Sequence, residues 1–269
     1  MKRLDQWLVD EGYYPSRERA RLAIMAGEVS VEGKGELLKA GTRIGPGDRV
    51  AVAARPRFVS RGGDKLDGVL ERWGIEVGGR LVLDVGASTG GFTHCLLERG
   101  AARVISLDVG KGQLHWDLRN DPRVTVMEKT NVRYVRREDL PFVPELVLAD
   151  LSFISLRLVL PVLRELMENK GELIALIKPQ FEAGRGKVGK KGVVRDPGVH
   201  REVLEEVGKA AAACGFELLE IAPSSLRGAE GNMEYFAWWR RTKGPAHFPL
   251  EAVEKAVEEA WDRASRTSR

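Results

Sequence analysis

Four charged residues whose types could carry out proton chemistry stand beside apolar runs of the sequence. Asp150 and Lys178 each end such a run, Glu234 begins one, and Lys65 precedes the first of them. Burying any of these charges alone would be costly, so we expect the four side chains to pair where a sheet exposes its carboxyl edge. Paired lysines and carboxylates at that edge form a candidate catalytic cluster.

A glycine-rich segment, 86–91, is a candidate for ligand binding. It follows the strand-like run 81–85 and leads directly into the helix-like stretch 92–99. Glycines let the backbone approach a ligand closely, and the start of the next helix offers free amide groups. Asp108 lies 24 residues after Asp84, near the offset at which an acid meets ribose hydroxyls. The pattern predicts an adenosine cofactor.

The same segment favours one cofactor over another. It lacks the GxGxxG spacing of a dinucleotide site, and Asp84 would be badly placed beside a pyrophosphate, whereas a cationic sulfonium tolerates that acid. The segment resembles motif I of the methyltransferases and indicates S-adenosylmethionine; a structural turn of another α/β protein is the alternative. Asn131 follows the third strand, where this fold contacts adenine, although an ordinary turn asparagine fits equally well. The candidate cofactor residues are Asp84, Gly86, Ser88, Gly90, Gly91, Phe92, Asp108 and Asn131.

Strand-like and helix-like segments alternate in the larger part of the chain. We predict strands at 81–85, 103–107, 124–127, 146–149 and 173–177, and helices at 92–99, 155–167, 199–214 and 250–264, with a kink at Pro161. Segments 216–221 and 234–240 have no helix between them, which predicts an antiparallel hairpin that closes the sheet. The fold class is therefore α/β, with a Rossmann-like, mixed seven-stranded sheet.

The first fifty or so residues predict a small α+β domain. Leu4, Trp7 and Leu8 share one helical face. Ser16 should cap a second helix that ends at Gly27, and short strands should follow near 29–31 and 49–52. In the second helix we expect Ala20, Ile24 and Met25 to face inward.

This region resembles the S4 RNA-binding domain. The matching words are Arg3-Leu4-Asp5, Ser16-Arg17, Gly27-Glu28-Val29 and Pro46-Gly47-Asp48. The resemblance implies that the second helix and the loop after it contact RNA phosphates, although a solvated charged face is the alternative. A basic stretch within 182–198 is a second candidate for binding phosphates. The candidate RNA-binding residues are Arg3, Arg17, Arg21, Lys34, Arg61, Arg185, Lys187 and Lys190.

The ordered set Lys65, Asp150, Lys178 and Glu234 resembles the FtsJ-like 2′-O-ribose methyltransferases. The words 150–155 (DLSFIS), 178–182 (KPQFE) and 231–235 (GNMEY) are similar to the TlyA family, in which an S4 domain precedes this catalytic domain. The resemblance predicts an S4 domain at 1–54, a linker at 55–60, a methyltransferase domain at 61–245 and a C-terminal helix at 246–269. It implies methylation of cytidine 2′-hydroxyls in 23S and, in some members, 16S ribosomal RNA.

The chemistry of ribose methylation suggests roles for the charged cluster, since a 2′-hydroxyl is a weak acid whose proton must be removed or shared. We expect Lys178 to take the proton of the attacking hydroxyl, assisted by a nearby Lys65 and by removal from water, while Asp150 and Glu234 orient the lysines. In the alternative, both lysines stay protonated and stabilise the alkoxide.

Composition sets limits on other functions. The formal charge is +4, a mild excess that suits a polyanion partner. Cys95 and Cys214 are far apart, which predicts free thiols, no zinc site and a cytoplasmic location. No run reaches the roughly 18 apolar residues of a membrane span. A non-catalytic ribosome-binding or assembly factor and a membrane-active haemolysin remain as alternative functions, and the oligomeric state is open.

Overall fold

The chain divides into two units, Met1–Pro56 and Arg57–Arg269. The computed structural model describes residues 1–14, 16–25, 29–33, 38–52, 57–189 and 192–267. Residues 57–60, assigned to the linker by sequence, pack on the second unit: Phe58 is buried and the Val59 amide donates to His94 Nδ1 at 3.2 Å.

The first unit combines two helices with two small antiparallel sheets. Its elements are β1 (Lys2–Arg3), α1 (Leu4–Asp10), α2 (Arg17–Met25), β2 (Val29–Val31), β3 (Arg43–Ile44) and β4 (Val50–Val52), with β1 paired to β3 and β2 to β4. Ser16 caps α2 as predicted, because its hydroxyl accepts the Arg19 amide at 3.3 Å. The inward placement of Met25 is wrong: Met25 is 72% exposed, and Ala23 packs inward in its place. The predicted C-cap, Gly27, lies outside the described residues.

The second unit alternates strands and helices as predicted. Its elements are α3 (Arg61–Trp73), β5 (Leu81–Val85), α4 (Gly91–Glu98), β6 (Arg103–Leu107), α5 (Trp116–Arg119), β7 (Val124–Met127), β8 (Leu146–Ala149), α6 (Leu160–Leu166), β9 (Glu172–Ile177), α7 (Pro179–Glu182), α8 (Pro197–Ala213), β10 (Phe216–Pro223), β11 (Tyr235–Arg241) and α9 (Leu250–Thr267). The seven strands form one sheet in the order β10-β11-β9-β8-β5-β6-β7. Strands β5 to β9 are parallel, and β11 is antiparallel to its two neighbours, β9 and β10, which confirms the mixed sheet.

One predicted helix is divided in two. Residues Leu156–Leu158 form a 3-10 helix, and α6 begins only at Leu160, with Pro161 in its first turn. Proline has no amide hydrogen to donate, so it is tolerated in the first turn and not in a helix interior. The single kinked helix over 155–167 is therefore wrong.

Side chains alternate across the sheet and form a core on each face. Val82, Ile174 and Phe236 pack toward α3 and α4, whereas Leu83 and Ala175 pack toward α6, α8 and α9. The C-terminal helix belongs to this second core, since Val253 and Val257 are buried in it. Within the described ranges, no helix combines the length and apolar character needed to cross a membrane.

The strand order reverses between β5 and β8, which opens a crevice at their carboxyl ends. Gly86 follows β5 with a φ of +85°, and a Cβ added there would lie 2.4 Å from the carbonyl oxygen of Asp150. Only glycine combines this backbone angle with such a close approach. The sheet topology therefore places the glycine-rich turn and Asp150 next to each other in this crevice.

Candidate active site and cofactor cavity

Lys65 and Glu234 form a buried ion pair. Lys65 lies on the inward face of α3, and Glu234 directly precedes β11; the Nζ–Oε2 distance is 2.6 Å, with 9% and 4% of the two residues exposed. The second carboxylate oxygen of Glu234 accepts the side-chain amide of Gln180 at 3.0 Å. Both oxygens of Glu234 are therefore engaged, which offsets the cost of burying its charge.

Lys178 and Asp150 form the second pair. Lys178 Nζ lies 2.5 Å from Asp150 Oδ1, an ion pair without the alignment of a hydrogen bond, and donates to Ser152 Oγ at 3.1 Å. Glu182, buried in α7, accepts both the Ser155 hydroxyl and the Leu156 amide at 2.6 Å. Through these two hydrogen bonds the Glu182 carboxylate connects α7, which follows Lys178, to the segment that follows β8. The structure thus brings all four predicted residues to one edge of the sheet as two pairs.

A cavity of about 250 Å³ adjoins these pairs. Lys65 and Asp150 line it together with the turn Gly86–Ser88, and Arg61 and Arg227 line it from the solvent side. The exposed Arg61 donates to the carbonyl oxygen of Arg227 at 3.0 Å. The cavity is therefore bordered by cations, which suits an anionic substrate.

A second, larger cavity of about 500 Å³ lies on the other side of Gly86 and Asp150. Asp108 and Asn131 line it with apolar residues from the segment after β8. The Asp108 carboxylate accepts the Ser88 amide at 2.8 Å and the Gly110 amide at 2.7 Å, while Asn131 Oδ1 accepts the Arg133 amide at 3.1 Å. The volume is within the range of small-molecule sites, and a carboxylate beside a glycine turn offers the acceptor that the ribose hydroxyls of an adenosine ligand require.

Asp84 lies beneath the turn and lines neither cavity. It is fully buried on the face of β5 that packs against α4, where its Oδ2 accepts the Thr93 hydroxyl at 2.7 Å. Thr93 is also 2.7 Å from the Ser106 hydroxyl. Burial raises the pKa of Asp84 to about 7, although the hydrogen bond from Thr93 opposes the increase. The structure places Asp84 as a support of the turn, not at the cavity wall.

The remaining cofactor candidates divide by location. Ser88 lines both cavities, Gly91 and Phe92 line the smaller one, and Gly90 packs against Leu118 of α5. Phe92 is 3% exposed and packs on Phe236, with 6.1 Å between the ring centroids. Gly90 and Phe92 therefore shape the turn from behind.

The candidate RNA-binding residues occupy different settings. Arg3 and Arg17 both donate to Asp5, at 2.9 and 3.0 Å, and the hydrogen bond from Arg3 lowers the pKa of Asp5 to about 2. Arg21 is exposed, and Lys187 is paired with Glu202. Arg185 lies in the 3-10 helix Arg185–Lys187. Lys34 and Lys190 lie outside the described residues.

Sequence reasoning missed several residues that hold the site together. Gln180 and Glu182 belong to the word 178–182 used for the family resemblance, but one sequence does not show what their side chains contact. Gly228, whose backbone lies against Glu234, carried no signal because glycine is common in loops.

Comparison with known proteins identifies the class to which this fold and site belong. Residues 58–241 match the FtsJ-like methyltransferase family, and residues 2–50 match the S4 domain. The chain belongs to the FtsJ-like methyltransferase family and carries an S4 domain at its N-terminal end.

Similar proteins indicate which group within the FtsJ-like family the chain belongs to. The chain is 44% identical to the 16S/23S rRNA (cytidine-2′-O)-methyltransferase TlyA of Mycobacterium tuberculosis, over 96% of each chain. It is 40% identical to Hemolysin A of Brachyspira hyodysenteriae, over 87% of this chain and 98% of that one. The structure of a protein described as a hemolysin from Streptococcus thermophilus superposes with a TM-score of 0.78 at 37% identity, covering 99% of this chain and 98% of the other. The chain is therefore a member of the TlyA group within the FtsJ-like family.

Proposed function

We propose that this protein transfers a methyl group from S-adenosylmethionine to the 2′-hydroxyl of cytidine in ribosomal RNA. The substrate class follows the name of the mycobacterial relative, with 23S RNA as the first candidate and 16S RNA as the second. The observation that supports the chemistry best is the pair of lysine–carboxylate contacts at the crevice, Lys65 with Glu234 and Lys178 with Asp150.

The larger cavity is the proposed cofactor site. Asp108 would accept the ribose hydroxyls with the lone pairs that Ser88 and Gly110 leave free, and Asn131 would face the adenine. The glycine turn would hold the amino-acid end, supported from below by Asp84. S-adenosylmethionine supplies an electrophilic methyl group on a sulfonium centre.

The smaller cavity is the proposed substrate site. A ribose 2′-hydroxyl is a weak acid, so its oxygen attacks well only if its proton is removed or shared as the bond forms. Lys65 and Asp150 both line this cavity, and Asp150 holds Lys178 beside it. The four residues therefore place two ammonium groups where negative charge develops on the oxygen. Positioning of the hydroxyl contributes more than the proton transfer, since proximity can supply roughly 7 kcal/mol or more.

The protonation state of the Lys178 side chain during the reaction distinguishes two mechanisms. As a general base, Lys178 must lose a proton to solvent before it accepts the one from the hydroxyl. As an electrostatic stabiliser, it remains an ammonium group throughout, which agrees with its ion pair to Asp150 in this structure. We retain Lys178 as the proposed base, and replacement by arginine separates the two roles.

The S4 domain is the proposed source of affinity for RNA. Arg3 and Arg17 retain 46% and 53% side-chain exposure while bound to Asp5, so their remaining donors are open to phosphates. A ribosomal RNA substrate implies work in the cytoplasm. We further propose the domain limits 1–54, 61–245 and 246–269, with a linker at 55–60 whose last four residues already belong to the second compact unit.

The test is methyl transfer from labelled S-adenosylmethionine to isolated ribosomal subunits, followed by mapping of the 2′-O-methylated nucleotide. We expect incorporation by the wild-type protein and none by Lys178→Met, a substitution of similar length that removes the charge. Exposed Lys209→Met, on α8, is the matched control. If the wild-type protein binds subunits without transferring methyl groups, it is a non-catalytic ribosome-binding factor. Lysis of vesicles without methyl transfer would favour the hemolysin function.

A further inference from the structure

The segment Ser224–Gly231 lies directly over the buried pair Lys65–Glu234. The Ser224 amide donates to the carbonyl oxygen of Glu234 at 2.8 Å, and the Gly228 amide donates to that of Asn232 at 2.8 Å. Arg61 and Arg227 add side-chain bonds to the carbonyl oxygens of Arg227 and Gly231, each at 3.0 Å. The segment is therefore held down at both ends and in the middle.

Gly228 is the point at which this segment meets the catalytic carboxylate. A Cβ built on Gly228 would lie 2.0 Å from Glu234 Oε1, 2.4 Å from Cδ and 2.9 Å from Oε2. All three distances are shorter than a van der Waals contact, and all three involve the carboxylate group of one side chain. The φ angle of Gly228 is not in the left-handed region, so steric room, not backbone freedom, makes glycine necessary there.

Two partners hold the carboxylate of Glu234 in its buried position. Glu234 is 4% exposed, and its two oxygens are bound to Lys65 at 2.6 Å and to Gln180 at 3.0 Å. A methyl group at position 228 would push the carboxylate away from these partners, since the end of a side chain moves more easily than a hydrogen-bonded segment. Lys65 would then lose the group that fixes its ammonium in the cavity.

We propose that Gly228 is a positioning residue that keeps Glu234 on Lys65, because its missing side chain lets the segment and the carboxylate lie in direct contact. This inference rests on the proposed function, because its main readout is the rate of methyl transfer. Gly228 also lines the smaller cavity, but a Cβ built there meets the carboxylate of Glu234, so the residue acts through Glu234.

The first test compares Gly228→Ala with Gly244→Ala, where an added Cβ meets nothing within 4 Å. We expect Gly228→Ala to reduce the single-turnover rate at saturating cofactor by about 10- to 100-fold, the effect of displacing a reacting arrangement by about 1 Å. Cofactor affinity should match that of Gly244→Ala, which should be as active as the wild type, whereas the unfolding midpoint of Gly228→Ala should fall because the buried carboxylate is moved off its partners. A general structural defect would weaken cofactor binding as well.

The second test is a double-mutant cycle with Glu234→Asp, which withdraws the carboxylate by one methylene group. Glu234→Asp alone should slow the reaction, but adding Gly228→Ala to it should change the rate by less than about threefold, since the methyl group then has room. If Gly228→Ala alone does not accumulate as folded protein, the comparison of Glu234→Asp with the double variant still decides.

The outcomes separate the two proposals. A wild-type protein without methyl transfer defeats the proposed function and leaves the steric contact to be judged by a crystal structure of Gly228→Ala, where Glu234 must be displaced. An active wild type with an equally active Gly228→Ala overturns the positioning role. The role is also overturned if Gly228→Ala causes the same loss of rate with Glu234 present as it does in the Glu234→Asp background, because the methyl group would then act elsewhere.

Discussion

Replacement of Asp84 by asparagine should change how the stability of the protein depends on pH. The carboxyl group is fully buried, and its pKa is raised from 3.8 to about 7, chiefly by burial. Asparagine has the shape of the protonated acid and can still accept the Thr93 hydroxyl through its carbonyl oxygen. The variant therefore keeps the contact and removes the titration.

The direction of the effect follows from proton uptake. Between about pH 4 and pH 7 the folded protein keeps the proton on Asp84, whereas the unfolded chain has lost it, so wild-type stability falls as pH rises through this window. Above pH 7 the carboxylate is ionised in both states and the full cost of its burial is present. At about 1.4 kcal/mol per pH unit, a displacement of about 3 units corresponds to at most about 4 kcal/mol.

The assay is chemical denaturation of the full chain, followed by tryptophan fluorescence, at about pH 5 and about pH 8. Five of the six tryptophans lie in the second unit and report its unfolding. We expect the free energy of unfolding of Asp84→Asn to exceed that of the wild type by more near pH 8 than near pH 5, because about two of the three pH units of the window lie between pH 5 and pH 7. Exposed Asp262→Asn, on α9, is the control and should show no such difference. An equal difference at both pH values would refute the assignment of the titration to Asp84.

Three further predictions concern the proposed function. Asp108→Ala should weaken S-adenosylmethionine binding by roughly 1.5 to 3 kcal/mol, since it removes the ribose acceptor and releases the Ser88 and Gly110 amides; unchanged affinity by calorimetry would show that Asp108 has no contact with the ribose. Lys178→Arg should lose as much single-turnover rate as Lys178→Ala if the lysine is the base, because a guanidinium does not give up its proton; near-wild-type turnover at unchanged cofactor and RNA affinity would end that assignment. Deletion of residues 1–56, which spares the buried Phe58, should leave cofactor binding intact and abolish methylation of subunits at ordinary concentrations; full activity of the truncated chain would contradict the role of the S4 domain.

The sequence correctly predicted the positions of those site residues that are fixed by local sequence patterns. Apolar runs place Asp150 and Lys178 at strand ends, and parallel strands bring their carboxyl ends to one edge, so both residues arrive together. Asp84 shows the limit of this reasoning. Val82 and Asp84 alternate with Leu83 and Val85, so the period of two turns the acid toward α4, although its position in the motif pointed to the cofactor.

Ion pairs between residues that are far apart in the chain could not be predicted from the sequence. Lys65 and Glu234 are separated by 169 positions, and nothing in one sequence indicates which lysine takes which carboxylate. The contact of Gly228 with Glu234 depends on the position of a loop to within tenths of an ångström. Secondary-structure propensities cannot predict loop positions with that precision. The error at Met25 has the same origin, because the helical period allowed either Met25 or Ala23 to face inward.

The two residues of the Lys65–Glu234 pair are synthesised at very different times, so the pair can form only late in synthesis. Lys65 is made early, in α3, whereas Glu234 precedes β11, which enters the sheet between β9 and β10 after β10 has been made. Until β11 has emerged and inserted, Lys65 lacks its Glu234 partner and the catalytic edge is incomplete. Under the proposed function, a nascent or truncated chain that ends before Glu234 carries the S4 domain but lacks the complete cluster, so RNA binding would precede catalytic competence during synthesis.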